Sequence, residues 1–129
     1  MSRRMGWVVL VSAMAGFVLF GCGDDAQPNA DFTVVVQELR FFRDSLSVPV
    51  GSTVRWVNLN PRDSLRTVTS GSGPADTAAG SVFDETLRGY SPGNAEGEDF
   101  IFQFEDRGSY SYFSRFPRGR EFSGIIVVQ

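Results

Sequence analysis

Val48-Pro49-Val50-Gly51-Ser52-Thr53-Val54-Arg55-Trp56-Val57-Asn58 reads as two short strands around a tight turn. Before the turn, Leu46, Val48 and Val50 alternate with smaller or polar residues; after it, Val54 and Trp56 alternate with Thr53 and Arg55, and Val57 falls on the outer face. Successive strand side chains point to opposite faces, so each half offers one apolar face to a core. Gly51-Ser52 is the kind of pair that turns a chain between such runs.

The same pattern continues in both directions. Upstream, Phe32 to Leu39 is β-branched and apolar. Downstream come Arg66 to Ser70, a weaker Ser81 to Leu87, Asp99 to Glu105 with Phe100, Phe102 and Phe104 on one face, Ser109 to Ser114 with Tyr110 and Tyr112, and Ile125 to Val128 after Gly124. Residues 71–80 and 88–98 are rich in Gly, Ser, Pro and Ala and read as loops. No stretch of this part sustains a helical period. The expectation is an all-β domain over residues 32–129: a two-sheet antiparallel Greek-key β-sandwich of about eight strands.

The N-terminus is of another kind. Arg3 and Arg4 precede an uncharged apolar run from Trp7 to Phe20, which ends at Gly21-Cys22. A charged start, a short apolar centre and a small residue before the cut describe a secretory signal over residues 1–21. The run is shorter than the roughly 20 residues a helix needs to cross a bilayer. Leu19-Phe20-Gly21-Cys22 resembles the bacterial lipobox, in which the cysteine is acylated and becomes the first residue. Cys22 is the only cysteine, and an exported thiol without a pairing partner is explained by lipidation. Acyl chains contribute ~0.8 kcal/mol per buried methylene, so two or more hold a protein on the bilayer. Residues 22–31, polar and turn-rich, read as a tether. Gly23 stands where an aspartate would signal inner-membrane retention, which points toward the outer membrane.

Composition limits the remaining choices. The formal net charge is -3, and cleavage after Gly21 removes Arg3 and Arg4, so nothing suggests nucleic acid as a partner. Ten of the 12 Phe lie outside the signal, and with the 3 Tyr they give the domain a core without disulfides.

Three segments in order resemble the plastocyanin/amicyanin class of cupredoxins, the blue-copper proteins. The first is Val48 to Asn58. The second is Arg66-Thr67-Val68-Thr69-Ser70-Gly71 followed by Gly80-Ser81-Val82-Phe83-Asp84, where the family has HTVTSG and then G..FDS. The third is Gly108-Ser109-Tyr110-Ser111-Tyr112-Phe113-Ser114, then Phe122-Ser123-Gly124-Ile125-Ile126-Val127-Val128. The resemblance implies the cupredoxin sandwich and, taken alone, a copper-binding electron carrier.

Carried across residue by residue, the copper ligands are missing. The first histidine falls on Arg66, the cysteine on Ser114, the second histidine on Pro117 (or Phe116 if the loop differs by one), and the axial methionine on Phe122. The chain contains no histidine, and Met1, Met5 and Met14 all lie in the signal. A blue-copper centre needs a thiolate, two imidazoles and a weak axial ligand. A serine hydroxyl stays protonated at neutral pH, and a guanidinium has no lone pair to give. No metal, no cofactor and no catalysis are therefore expected. Copper-based electron transfer is the alternative that the resemblance implies.

The loops around the lost site carry Arg62, Arg66, Arg115, Arg118 and Arg120, opposed there only by Asp63 and Glu121 and interleaved with Phe113, Phe116, Pro117 and Phe122. Guanidinium forks beside aromatic faces suit carboxylate or phosphate groups. Either this pole contacts an anionic ligand or an envelope protein, or its arginines pair with Asp63, Glu121 or other carboxylates. Other candidates are weaker. Ser70-Gly71-Ser72-Gly73-Pro74 has neither the helix nor the lysine of a phosphate loop. Glu96-Gly97-Glu98-Asp99 matches no calcium-loop spacing. Ser114 has no histidine or lysine to serve as its base. The expectation is a non-catalytic binding or accessory module, lipid-anchored through Cys22 in the bacterial envelope.

Overall fold

The computed structural model describes residues 30–129; the signal, Cys22 and most of the tether lie outside the described residues. Among the described residues nine strands form two sheets: β1 (Phe32–Val36), β2 (Phe41–Phe42), β3 (Ser45–Val48), β4 (Thr53–Asn58), β5 (Leu65–Ser70), β6 (Asp84–Arg88), β7 (Asp99–Gln103), β8 (Gly108–Ser114) and β9 (Phe122–Val128). One sheet has the order β2-β1-β4-β7 and the other β3-β9-β8-β5-β6. Val34, Val36, Val54, Val68, Leu87, Tyr112, Ile126 and Val128 meet between them, and Trp56 sits at the centre. Its indole packs against Phe83, Phe100, Phe104 and Tyr112 at ring-centroid distances of 5.6, 5.7, 6.3 and 5.4 Å. Aromatic contacts of this kind contribute ~0.5–1.5 kcal/mol beyond the area they bury.

The sandwich is as expected, but it is not wholly antiparallel. β1 runs parallel to β4, with Phe32 opposite Val54, and β3 runs parallel to β9, with Ser45 opposite Ile125. The cause is a single return leg that changes sheets. β2 pairs antiparallel with β1; the chain then bends at Arg43, whose φ is 73°, and continues as β3 in the second sheet. After Gly51 (φ 91°) it comes back as β4 beside β1, pointing the same way.

Element ends also differ from the alternation, for local reasons. β1 stops at Val36 because Gln37 N–H closes a turn on the Arg40 carbonyl at 2.9 Å. β6 begins only at Asp84, because Val82 and Phe83 donate their N–H groups to Ser70 Oγ at 3.0 and 3.2 Å. Asp31, assigned above to the tether, already belongs to the domain: its N–H bonds the Thr53 carbonyl at 2.9 Å and its carboxylate accepts from Thr53 N–H at 2.9 Å.

Candidate functional site

Strand pairing brings the four residues that the resemblance sets at the ligand positions to one end of the sandwich. Ser114, the last residue of β8, lies opposite Phe122, the first of β9, and Pro117 is in the turn between them. Arg66 joins from the start of β5, because the next residue, Thr67, donates its N–H to Ser114 Oγ at 2.9 Å. That hydroxyl is fully engaged. It also accepts from Phe116 N–H at 3.4 Å and donates to the Phe116 carbonyl at 2.8 Å. Its proton is committed to a carbonyl rather than to a base, so it has no means of becoming a nucleophile.

Arg66 shares the inner face of β5 with Val68 and lies opposite Leu87. It is 8% exposed. Its Nε–H donates to the Glu38 carbonyl at 3.0 Å and its Nη1–H to the Leu65 carbonyl at 2.7 Å. No carboxylate of the described residues forms an ion pair with it. Burial lowers its pKa, the Glu38 charge opposes this, and the neighbouring Arg120 charge adds to the lowering; an arginine nevertheless keeps its proton in water-accessible pH ranges.

The five arginines do not converge. Arg115 follows Phe113 on the opposite, outer face of the sheet: its guanidinium lies 5.5 Å from the Phe113 ring and 3.3 Å from an Asp84 carboxylate oxygen. There it closes a ring of hydrogen bonds that the sequence did not suggest. Arg115 N–H donates to Thr67 Oγ1 (2.9 Å), Thr67 and Thr69 hydroxyls are 2.8 Å apart, and Thr69 donates to Asp84 at 2.8 Å. Since the carboxylate takes the Thr69 proton, Thr67 must supply the one between the two hydroxyls. Thr67 and Thr69 are buried, and a fully satisfied ring of this kind locks the β5–β8 edge that positions Ser114. The alternation Thr67-Val68-Thr69 was the available signal.

Arg118 and Arg120 are exposed on the 117–121 turn, Arg118 5.3 Å from the Phe116 ring. Arg62 is exposed on the 59–64 loop. That loop is held by Asn58, which donates to the Ser64 and Leu87 carbonyls at 2.8 Å and accepts from Asn60 N–H at 3.0 Å. Neither of the two acids in these loops pairs with the five arginines. Asp63 takes Arg88 at 3.1 Å. Glu121 accepts Gly119 N–H at 2.9 Å; its own and the Gly119 backbone N–H hold its carboxyl below the usual range, burial opposing, with the Arg118 charge a smaller contribution in the same direction.

No protein-family model matches the chain, and no curated protein matches it by sequence. Solved structures do match. A purple cupredoxin from Nitrosopumilus maritimus superposes with a TM-score of 0.56 at 20% identity, over 77% of this chain and 100% of that one. A mutant of amicyanin in its Cu(I) form gives 0.54 at 22%, over 80% and 86%. A reduced amicyanin mutant gives 0.52 at 23%, over 76% and 81%.

The fold is that of the cupredoxins. The metal that the fold implies does not fit the residues present. At the positions where the resemblance sets the cupredoxin ligands, Arg66 offers a cation, Pro117 and Phe122 offer no donor atom, and Ser114 is a protonated hydroxyl that already accepts the Thr67 N–H and donates to the Phe116 carbonyl. Among the described residues no group of three or more His, Cys, Asp or Glu gathers elsewhere. The cupredoxin frame persists here with hydrogen bonds where the ligand cage would be.

Proposed function

We propose that the protein is a lipid-anchored envelope lipoprotein whose cupredoxin-fold domain serves as a copper-free binding or accessory module and not as an electron carrier or an enzyme. The observation that supports this reading is Arg66: a fixed positive charge, nine-tenths buried at the first ligand position and held there by two carbonyls. A cation in that place repels a metal ion instead of binding it. Export and acylation follow from the Arg3-Arg4 start, the apolar run and Cys22. The working surface is the pole that carries Arg66, Arg118, Arg120 and Arg62, with Phe116 and Pro117 beside them, and its partner is an envelope protein or an anionic ligand.

The test is a photo-crosslinking residue placed at Arg118 in living cells, with fractionation alongside. The expected result is a discrete adduct that disappears in Arg66→Gln, from a protein found with membranes. A soluble wild-type protein, or no adduct from a protein shown to be folded, would sink the proposal.

A further inference from the structure

We infer that Arg66 anchors an oxyanion site, and that the anion is presented by a partner facing the pole and not by the bilayer that holds Cys22. This deepens the binding role proposed above and rests on it. A guanidinium has five N–H donors; Arg66 spends one on the Glu38 carbonyl and one on the Leu65 carbonyl. Among the described residues its Nη2 has no hydrogen-bond partner. It is not among the sealed atoms without one, which in the described residues are Trp56 Nε1 and Tyr112 Oη, so Nη2 keeps contact with solvent.

A charge this buried is costly unless something of opposite sign meets it. The carboxylates of the neighbouring loops are committed elsewhere, Asp63 to Arg88 and Glu121 to the Gly119 backbone. Glu38, the exposed acid whose charge acts on Arg66, makes no ion pair with it. Arg120 brings a second positive charge close enough to act on the first. The two bonds to carbonyls fix the guanidinium plane, so the free donors are oriented before any ligand arrives, which lowers the ordering cost of binding. Carboxylate and phosphate oxygens are the groups such a fork recognises.

Topology supplies the direction. The described chain begins at Ala30, and Asp31 is bonded to Thr53 at the start of β4. β1 and β4 run in parallel from there to Val36 and Asn58, and Arg66 is bonded to Glu38, just past that far end. With six residues in β4 and ~3.3 Å per residue, the domain's entry at Asp31 and Arg66 are separated by about 20 Å along the strands.

The experiment uses the lipidated chain in nonionic detergent, titrated with acetate and with inorganic phosphate at constant ionic strength. NMR follows the Arg66 Nε–H and the Thr67 amide. Saturable shifts are expected, lost in Arg66→Gln, weakened several-fold in Arg120→Ala and unchanged in Arg107→Ala, which lies on the β7–β8 turn away from the pole. Arg120 is exposed, so its variant reports even if Arg66→Gln fails to fold. No saturable shift in folded wild type, or equal shifts in both pole variants and wild type, would overturn the site. A parallel arm adds phosphatidylglycerol vesicles to Cys22→Ser chain: no Arg66-dependent binding is expected, and such binding would overturn the assignment to a partner. Failure of the titrations in a protein that is still membrane-bound and copper-free removes only this inference; copper binding would remove the function it rests on.

Discussion

Ser114→Ala tests whether the hydroxyl at the cysteine position holds this end of the fold together. Ser114 is 0% exposed, so water cannot replace what the substitution removes. The Thr67 N–H loses its acceptor at 2.9 Å and the Phe116 carbonyl its donor at 2.8 Å; the 3.4 Å bond from Phe116 N–H adds little. Leaving a buried polar group unsatisfied costs ~1–3 kcal/mol, so the two together amount to about 2–6 kcal/mol. In a domain of about 100 residues each kcal/mol lowers Tm by roughly 4–8 °C, so a fall of at least about 8 °C is expected. The assay is urea unfolding followed by Trp56 fluorescence, with an unchanged m-value confirming that stability alone has moved. Ser114→Cys keeps a weak donor and acceptor in the same place and should lose less than Ser114→Ala. A Ser114→Ala protein within about 0.5 kcal/mol of wild type would refute the reasoning, because the hydrogen bonds would then not be what fills the family's ligand position.

Three further outcomes follow from other residues. Tyr112→Phe removes a sealed hydroxyl without a partner and should stabilise the domain by ~1 kcal/mol in the same urea assay. Burial pushes the Tyr112 phenol up to about 12, the Trp56 indole opposing and the Asp44 charge reinforcing. The folded state therefore holds this proton longer than the unfolded chain, which releases it near pH ~10, and stability must fall as pH rises from there toward the folded value. Alkaline unfolding monitored by phenolate absorbance should show this loss in wild type and not in Tyr112→Phe. Gly97→Ala would place a methyl 2.0 Å from the Asn58 carbonyl oxygen at a φ of +73° and should cost at least ~2 kcal/mol, read as a lowered urea midpoint. Cys22→Ser should shift the protein from the membrane to the soluble fraction and abolish palmitate labelling.

The period-2 pattern around Trp56 and the stripe Phe100, Phe102 and Phe104 was enough to read the sandwich, because burial on one face leaves its mark on every second residue. The convergence of Arg66, Ser114, Pro117 and Phe122 followed from the order of the family's segments. Other features depend on contacts distant in sequence. The two residues of β2 are too few to show a period, and the parallel pairs arise from a change of sheet at Arg43. β6 starts late because Ser70 captures two backbone N–H groups from 12 and 13 residues away. The separation of Arg66 and Arg115 onto opposite faces was implicit in strand parity. What Arg66 bonds to was not, since the Glu38 carbonyl lies 28 residues upstream and backbone acceptors carry no side-chain signature.

Copper binding by the intact protein decides the central claim. The protein, equilibrated with Cu(II), desalted and examined for metal content and visible absorption, should retain no stoichiometric copper and show no blue thiolate–copper band. One tightly held copper per chain, or the blue colour itself, would contradict the account and return this domain to electron transfer.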